Sequence, residues 1–447
     1  CIHLRGINMK WTRTKTASAL ALGTASALLL SACQPGDNPS ESPEPTSEAP
    51  AAPVTLTVAY WGNFGLENLV AQYEADHPNV TIELNSGDFA AQHDALQQAI
   101  IAGSGAPQIA AIDEGYITGF VAQSDSFVNL LDLGAGKYEA NYLPWKWAQA
   151  ANADGSVVIG LGSDVGGLAL CYRKDLFEAA GLPTDRAELA DLVGDSWDDF
   201  IELGKQYKAA TGKAFVDNAT NILIPAQTQL GTGYAWFNRN NELDMDASKP
   251  AFDTALAVIE AGISANIAPW SPEWNTGFAN GDFAVLACPA WMMGYIQGQI
   301  SADTFAGQWD VTDIPGPGGN WGGSFYTIPK QGDEATQRAA YEFIEWLIQG
   351  EQQIAIFQEV GNLPSQSSLF SDPGIQDFKS DFFNGAPVGQ IFTKTAEDIP
   401  AAIYYAPNNS KVSPAVQNVL NEVQAGNVAI ADAWTTAIAA AEAAAAS

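Results

Sequence analysis

Four tryptophans lie close together between residues 270 and 326, in a stretch rich in Gly, Pro and Asn. They are Trp270, Trp274, Trp291 and Trp321. An indole on a loop offers a flat apolar face and one N–H donor, and a neighbouring Gly lets another group approach the backbone. A sugar ring has apolar C–H faces and a hydroxyl edge, so this stretch is suited to stacking on a carbohydrate. The alternative is ordinary packing, because most tryptophans in proteins are largely buried.

Residues for covalent or metal-assisted catalysis are scarce. Beyond the first few residues the only histidines are His77 and His93, and the H-E-x-x-H, G-x-S-x-G and G-x-x-x-x-G-K-[ST] motifs are absent from the sequence. The G-L-G at 160–162 lacks the third Gly of a dinucleotide-binding motif. Asp113 and Glu114 could flank a glycosidic bond, but 51 acidic residues make such a pair unspecific. We therefore expect a protein that is not an enzyme and has no metal and no cofactor.

Length and charge set further limits. A chain of 447 residues is expected to form more than one domain, and an apolar content of 47% can build a large core. The formal net charge is −32, and four of the 19 basic residues precede Cys33, which leaves 15 basic against 51 acidic residues in the remainder. Such an acidic surface repels phosphate backbones and anionic lipids. We expect no nucleic-acid partner and no electrostatic attachment to membranes.

The first 32 residues have the features of a signal peptide. Basic residues between 10 and 15 precede an uncharged apolar run over 17–30, which is too short to span a bilayer comfortably. The sequence L-S-A-C ending at Cys33 resembles a bacterial lipobox, in which the cysteine is lipidated and becomes the mature N-terminus. The alternative is an ordinary secretory signal followed by an unpaired cysteine. Residues 1–8 precede Met9 and are interpreted as upstream translation.

The segment after Cys33 is predicted to be a spacer. Residues 34–53 consist mainly of Pro, Ser, Glu, Ala and Thr, with no large apolar side chain before Val54. Such a segment cannot bury enough surface to offset its ordering entropy, so we predict disorder over 33–53. A lipid and a spacer would hold the folded part at the extracellular face of the cell membrane.

The folded part begins with alternating strands and helices. We predict strands over 54–61, 80–84 and 108–112, with a helix from Leu66 to the His77-Pro78 stop and another over 89–102. This order is typical of a parallel sheet with helices on both faces. Ligands of such sheets bind beyond the carboxyl ends of the strands, where Trp61, Asn63, Asp113 and Glu114 fall.

A second α/β unit is predicted from about residue 160. Its strands are expected over 166–172, 283–288 and 324–328. Its helices are expected over 174–180, 196–210, 221–230, 252–263, 334–349, 352–359 and 414–446, the last with a break at Gly426. The tryptophan-rich stretch between these elements is predicted to be loop.

Two cysteines end predicted strands of the second unit. Cys171 and Cys288 belong to a chain bound for an oxidising compartment, where two thiols commonly pair. We hypothesise a disulfide between them. The alternative is two buried, reduced cysteines.

Several segments together resemble a known family. They are the lipobox, the acidic spacer, TLTVAYWGNFG, KDLFEAAGLP, SPEWNTGFANGDFAVLACPAWM and GGNWGGSFYTIP. They resemble the family 1 extracellular solute-binding lipoproteins of carbohydrate ABC importers, along the whole mature chain. CYR with ACPAW and NWGGSF is similar to the actinobacterial branch often assigned to cellobiose and other oligosaccharides.

The resemblance implies a two-lobed α/β fold of the periplasmic-binding-protein type, class II, with the ligand cleft between the lobes. The implied N-terminal lobe comprises 54–163 and 323–371, and the C-terminal lobe comprises 164–322. Helices in 372–447 are expected to pack on the lobes. The protein is expected to be a monomer.

The resemblance also implies site residues. Trp291 and Trp321 correspond to ring-stacking positions, Trp61 and Asn63 line the cleft, and Glu114 and Asp164 accept hydrogen bonds from sugar hydroxyls. Weaker matches complete the implied set with Asp88, Trp236 and Trp274.

The implied function is capture of a di- or oligosaccharide by hinge closure, with delivery to the permease of an ABC transporter. A β-linked gluco-oligosaccharide such as cellobiose is the first candidate ligand. The alternatives are a membrane-anchored glycoside hydrolase, which would cleave its ligand, and a polysaccharide-adhesion protein, which would bind polymers without closing.

Overall fold

The computed structural model describes residues 52–401 and 403–446. The predicted signal peptide, the Cys33 lipidation site and most of the predicted spacer lie outside these residues. The strands, numbered in chain order, are β1 Val54–Trp61, β2 Val80–Gly87, β3 Ile109–Asp113, β4 Gly160–Gly162, β5 Asp164–Val165, β6 Leu168–Arg173, β7 Val285–Pro289, β8 Trp309–Thr312, β9 Ser324–Thr327 and β10 Leu363–Pro364.

Helices connect and cover these strands. The α-helices are α1 Glu67–Asp76, α2 Phe89–Ala102, α3 Glu114–Val121, α4 Pro144–Gln149, α5 Lys174–Ala179, α6 Arg186–Val193, α7 Trp197–Thr211, α8 Thr220–Thr228, α9 Lys249–Glu260, α10 Pro272–Asn280, α11 Met292–Gln299, α12 Ala302–Phe305, α13 Glu334–Leu347, α14 Gly350–Val360, α15 Pro373–Gln376, α16 Val388–Glu397, α17 Asn409–Gln424 and α18 Ala433–Ala445. The 3₁₀ helices are Ser124–Ser126, Leu130–Leu133, Ala135–Asn141, Asp246–Ser248, Ser367–Leu369 and Ile430–Asp432. Among the described residues, no helix has both the length and the apolar character needed to cross a membrane.

The first sheet has the strand order β2-β1-β3-β9-β4. Strand β1 pairs in parallel with β2 and with β3, which confirms the predicted strand–helix alternation. The sheet then continues with two antiparallel pairings, because β9 lies between β3 and β4 and runs against both. A first core covers this sheet, with buried side chains from 56–161 and from 325–360.

The second sheet has the order β7-β6-β8 and is antiparallel throughout. Successive side chains of a strand point to opposite faces, so β6 contributes to two cores. Leu170 and Tyr172 belong to a core on one face, whereas Ala169 and Cys171 belong to a core on the other. A further core is helical and joins α8 and α9 to α17 and α18.

The structure joins Cys171 and Cys288 by a disulfide, which is the pairing that the sequence predicted. In the register of β6 and β7, Cys171 lies opposite Leu286 and Cys288 lies opposite Ala169. The two cysteines are therefore diagonal neighbours on the same buried face. The bond links positions 117 residues apart in the chain.

Three stretches of chain cross between the first sheet and the second. One runs from β4 through β5 into β6, a second leads into β9, and a third contains β10. They contact one another, since β5 pairs with β10 and the Ser163 N–H donates to the Ser324 carbonyl oxygen at 2.9 Å. Phe357, Leu363 and Phe370 pack in the core of Cys171. Part of 323–371, which the resemblance places in the N-terminal lobe, thus packs beside the second sheet.

Two sequence expectations require correction. The tryptophan-rich stretch is not all loop, because Trp274 lies inside α10, and Trp291 directly precedes α11. The C-terminal helical region also begins earlier than predicted, at Asn409, and Pro414 lies within α17.

Candidate functional site

The candidate site is built on the carboxyl end of β3, where Asp113 and Glu114 begin α3. Asp113 is the N-cap of this helix, and its Oδ1 accepts a hydrogen bond of 2.8 Å from the Gly115 N–H. Glu114 is buried, and its oxygens accept from Asn320 Nδ2 at 2.9 Å and from the Gly322 N–H at 3.0 Å. Glu114 therefore holds the loop that carries Trp321.

A buried lysine lies beside these carboxyl groups. Lys146 of α4 is fully buried, and its Nζ lies 3.9 Å from the centre of the Phe325 ring. Within residues 52–401 and 403–446, this Nζ has no hydrogen-bond partner. Burial raises the pKa of Glu114 to about 8 and that of Asp113 to about 6, and the charge of Lys146 opposes both shifts. Burial lowers the pKa of Lys146, while Glu114 and Asp164 act in the opposite direction. The group is an electrostatic cluster at the junction of the two sheets.

Three tryptophans form an aromatic group on the second-sheet side. Trp291 Nε1 donates a hydrogen bond of 2.8 Å to the Trp321 carbonyl oxygen, and the two rings meet edge to face. Trp270 stacks on Trp291, with centroids 6.0 Å apart and planes inclined by 27°. The Trp270 side chain is 49% exposed, and its backbone φ is 68°. Part of this indole surface is thus open to solvent.

A second aromatic group lies on the first-sheet side. Trp61, at the end of β1, packs on Phe89 and His93, and His93 stacks on Tyr116 at 4.0 Å. His93 Nε2 accepts from the Asp113 N–H at 3.0 Å, while Nδ1 lies 2.7 Å from the Phe89 carbonyl oxygen. Burial lowers the pKa of His93 to about 4, so the ring is neutral and Nδ1 carries the proton.

The two aromatic groups meet at Asp113. A Cβ atom placed on Gly322 would lie 3.3 Å from Trp291 Nε1 and 3.8 Å from Asp113 Oδ2. Gly322 has a φ of 77°, which a residue with a side chain rarely adopts. Because Gly322 has no side chain, the Trp291 and Trp321 indoles can lie close to the Asp113 carboxylate. This combination of apolar faces and an acceptor oxygen suits a polyhydroxylated ligand.

Comparison with known families agrees with this geometry. Residues 68–383 match the family described as bacterial extracellular solute-binding protein. The chain belongs to this family.

Relatives of this solute-binding protein include the lactose-binding protein of Rhizobium radiobacter, with 25% identity over 78% of this chain and 83% of the relative. The arabinooligosaccharide-binding protein of Halalkalibacterium halodurans is 22% identical over 79% of each chain. A solved family 1 extracellular solute-binding protein is 35% identical, with a TM-score of 0.77 over 88% of this chain and 100% of that chain. The binding protein of B. animalis subsp. lactis Bl-04 solved with β-1,6-galactobiose has a TM-score of 0.74 at 21% identity, over 87% of this chain and 96% of that chain. The two-lobed α/β class predicted from the sequence is confirmed.

The solute-binding protein brings only some of the expected site residues together. Trp61, Trp291 and Trp321 lie in the two aromatic groups, and Glu114 lies beside them. Asp164 is buried in a crossing stretch, where its Oδ1 accepts from the Ser324 N–H at 2.9 Å and from Ser163 Oγ at 2.6 Å. Its placement is that of a carboxylate that fixes the crossing.

The other expected residues have contacts within the fold. Trp236 and Trp274 have no exposed surface; Trp236 packs in the helical core, and Trp274 Nε1 donates to Asp217 at 2.8 Å. Asp88 is the N-cap of α2, and Asn63 Oδ1 accepts from the Gly65 N–H in an exposed turn. Trp274 nevertheless packs on Trp270 of the second-sheet aromatic group, with ring centroids 4.8 Å apart.

Several residues of the site were not selected from the sequence. The sequence places Asp113 beyond the end of a strand and Trp270 in the tryptophan-rich stretch, but the resemblance implies neither of them as a site residue. Tyr116 follows Asp113 by three residues, which places it on the first turn of α3. Tyr405 lines a small cavity with Glu114, but it lies about 290 residues further along the chain, and no local pattern connects the two. Among the described residues, no group of three or more His, Cys, Asp or Glu could hold a metal ion.

Proposed function

We propose that this solute-binding protein binds a di- or oligosaccharide between its two lobes and delivers it to the permease of an ABC transporter. The observation that carries the proposal is the meeting of two aromatic groups, one from each lobe, at Asp113. Each group offers ring faces for the apolar side of a sugar. The carboxylate offers acceptor oxygens for its hydroxyl groups.

Binding energy in such a site needs both kinds of contact. Sugar hydroxyls are well hydrated, so they leave water only for strong acceptors, and hydrogen bonds to a charged acceptor are the stronger kind. Hinge motion at the crossing stretches would bring Trp61 towards Trp291 and Trp321 and would exclude water from the ligand. A ligand that contacts both lobes favours the closed arrangement, which a permease can then distinguish from the open one.

The names of relatives support a sugar of a few units. Relatives are named for lactose and arabinooligosaccharides, and structural neighbours were solved with β-1,6-galactobiose and with lacto-N-biose. We retain a β-linked gluco-oligosaccharide such as cellobiose as the first candidate. Lactose and β-1,6-galactobiose are further candidates, because a relative is named for the first and a structural neighbour was solved with the second.

The two alternatives have less support. A glycoside hydrolase needs two carboxyl groups separated by about 5–9.5 Å on either side of a bond. Both oxygens of Glu114 already accept hydrogen bonds from the protein. A polysaccharide-adhesion protein would not need crossing stretches between two lobes.

The proposal is tested with thermal unfolding in the presence of sugars. A ligand that binds only the folded state stabilises it and so raises the melting temperature. At a ligand concentration of a hundred times Kd, the stabilisation is about 2.7 kcal/mol. We expect cellobiose, lactose or β-1,6-galactobiose to raise it in the wild-type protein and to have no such effect on Trp291→Ala. Trp434→Ala is the matched control, because Trp434 packs on the helical core, and it should keep the shift. An unchanged melting temperature with every mono- and oligosaccharide would overturn the proposed function.

We also infer that Cys33 is lipidated and anchors the protein at the extracellular face of the membrane. The family is extracellular by its description, and L-S-A-C ends an apolar run in the sequence. Cys33→Ala should move the protein from the detergent phase to the aqueous phase on Triton X-114 partitioning. Equal partitioning of variant and wild type would contradict the anchor.

A further inference from the structure

A segment from near the C-terminus lies against Glu114. It consists of residues 403–407, and we call it the end wall. Its position is fixed on the second-lobe side by two backbone hydrogen bonds: the Tyr404 N–H donates to the Gly233 carbonyl oxygen at 3.0 Å, and the Ala235 N–H donates to the Tyr404 carbonyl oxygen at 3.2 Å. The Tyr404 hydroxyl donates to Asn241 at 2.7 Å, away from Glu114.

The other side of the end wall faces the first lobe. Gln149 Nε2 of α4 lies 3.5 Å from the Ile403 carbonyl oxygen, and a Cβ on Gly119 of α3 would lie 3.8 Å from the Pro407 carbonyl oxygen. Tyr405 lines one small cavity together with Glu114, and burial, with the charges of Glu114 and Asp113, raises the pKa of its hydroxyl. The end wall therefore spans the space between the two lobes.

Little room remains at this side of Glu114. A cavity of about 10 Å³ lies there, lined by Glu114, Trp145, Gln149, Thr228, Ile403 and Tyr405 among others. That volume accommodates about one water molecule and no sugar ring.

The aromatic side of the site is open by comparison. From the end wall, contacts lead through Glu114 and Asn320 to Trp321 and Trp291, and then to Trp270. Trp270 is 49% exposed there, and Phe89 of the first-lobe group is 39% exposed. The site thus has one end closed by protein and one end that reaches solvent.

We propose that the end wall makes this protein recognise one terminus of its sugar, while the rest of the sugar leaves the site past Trp270. The proposal rests on the proposed function and narrows its ligand class to short saccharides held by one end. Tyr405 is then a specificity-determining residue, because its ring stands where the next sugar unit would lie. Trp145 contributes from the first lobe to the same closure.

The test uses sugars blocked at either end. Cellobiose, lactose and β-1,6-galactobiose are titrated calorimetrically into the wild-type protein, each unmodified, as the p-nitrophenyl glycoside at the reducing end, and with a benzyl ether on the non-reducing ring. For a disaccharide that binds, we expect one modification to change Kd less than about threefold and the other to weaken binding at least about tenfold, a difference of 1.4 kcal/mol or more in binding free energy.

Variants locate the block. Tyr405→Ala should restore at least part of the lost affinity for the excluded form, and Trp145→Ala should do so independently. Tyr404→Ala, in the same segment but turned towards Asn241, should keep the discrimination. If both modifications leave Kd unchanged, or both weaken binding equally, the end wall does not select one terminus of the sugar. The proposed function would be unaffected by either result. Absence of binding by every mono- and oligosaccharide of the thermal screen would overturn both proposals.

Discussion

Trp270 combines two properties that are unfavourable for a tryptophan. Its φ of 68° lies in the left-handed region, which costs a residue with a side chain roughly 1–2 kcal/mol. The residue is 49% exposed, and its buried part packs on the rings of Trp274 and Tyr295, with centroids 4.8 and 5.2 Å away. Strain of this kind is kept mainly at functional positions. In this strained conformation Trp270 stacks on Trp291, which presents a second indole at the open side of the site.

Trp270→Gly should separate binding from stability. Glycine adopts a positive φ without penalty, and this gain offsets the loss of the ring contacts to Trp274 and Tyr295, so the melting temperature should stay near that of the wild type. Affinity for the best sugar of the thermal screen should fall by roughly five- to 150-fold, which corresponds to about 1–3 kcal/mol for loss of an aromatic anchor. Both quantities are measured on the same preparation, by thermal unfolding and by calorimetric titration.

The control is Asn266→Gly on the same loop. Asn266 also has a positive φ, of 54°, and is exposed, but it has no aromatic ring. This variant should keep wild-type affinity. If the Trp270→Gly protein binds the sugar with unchanged affinity, Trp270 does not contribute to ligand binding.

At the same scale, the sequence could identify acidic positions but not the use of their oxygens. Glu114 and Asp164 were expected to accept hydrogen bonds from a ligand, and the donors found in the structure are Asn320, Gly322, Ser163 and Ser324. Ser163 directly precedes Asp164, but the other three partners lie 160 to 208 residues away in the chain. No spacing in the sequence indicates that such groups will meet.

Among elements, those with local signals were predictable. Strand β1 and helix α2 have the predicted bounds, because an alternating pattern specifies the first and Asp88 with Gly103 caps the second. Helix α10 was missed although Ser271 caps it and Pro272 begins it. Its Gly277 weakens the helical pattern, yet a Cβ there would lie only 2.8 Å from the Phe283 ring. The close packing of α10 on Phe283, just before β7, requires a glycine at this position despite its low helix propensity.

The sequence predicted less well which strands pair with one another. Strand β9 was predicted as a strand, but its place between β3 and β4 was not. Its partners lie far away in sequence, and a period-2 pattern carries no information on neighbours. The crossing stretches share this property, since the β5–β10 pair joins residues about as distant.

For the whole molecule, the electrostatic cluster at the junction of the sheets should make stability depend on pH. The pKa values of Asp113 and Glu114 in the folded protein, about 6 and about 8, exceed the value of roughly 4 in an unfolded chain. The stability that these groups contribute is present below pH 4 and is lost as the pH rises through 6 and then 8. The positive charge of Lys146 limits this loss.

Lys146→Met keeps the length of the side chain and removes the charge. Without the cation both carboxyl pKa values should rise further, so the variant should lose more stability at pH 8 than at pH 5. The lowered pKa of Lys146 acts in the same direction, because the variant no longer buries an ammonium group at low pH. Breaking a buried ion group costs about 3–5 kcal/mol, which sets the scale expected at pH 8.

The measurement is the melting temperature of wild type and variant at both pH values. Lys205→Met serves as control, because Lys205 is exposed and pairs with Glu202 on its own helix, and this variant should change little at either pH. Equal deficits of Lys146→Met at pH 5 and pH 8 would contradict the electrostatic account.

The position of β9 also has a consequence for the order in which the chain can fold during synthesis. The Thr327 hydroxyl donates to the Ala110 carbonyl oxygen across 217 residues, and β4 has β9 as its pairing partner in the sheet. A growing chain has made β1, β2 and β3 long before β9 exists, so the edge of β3 stays unpaired while the residues of the second lobe are added. Closing so long a loop is slow compared with forming local contacts. A lobe that begins the chain yet waits for its later residues therefore cannot complete its sheet until β9 has been made.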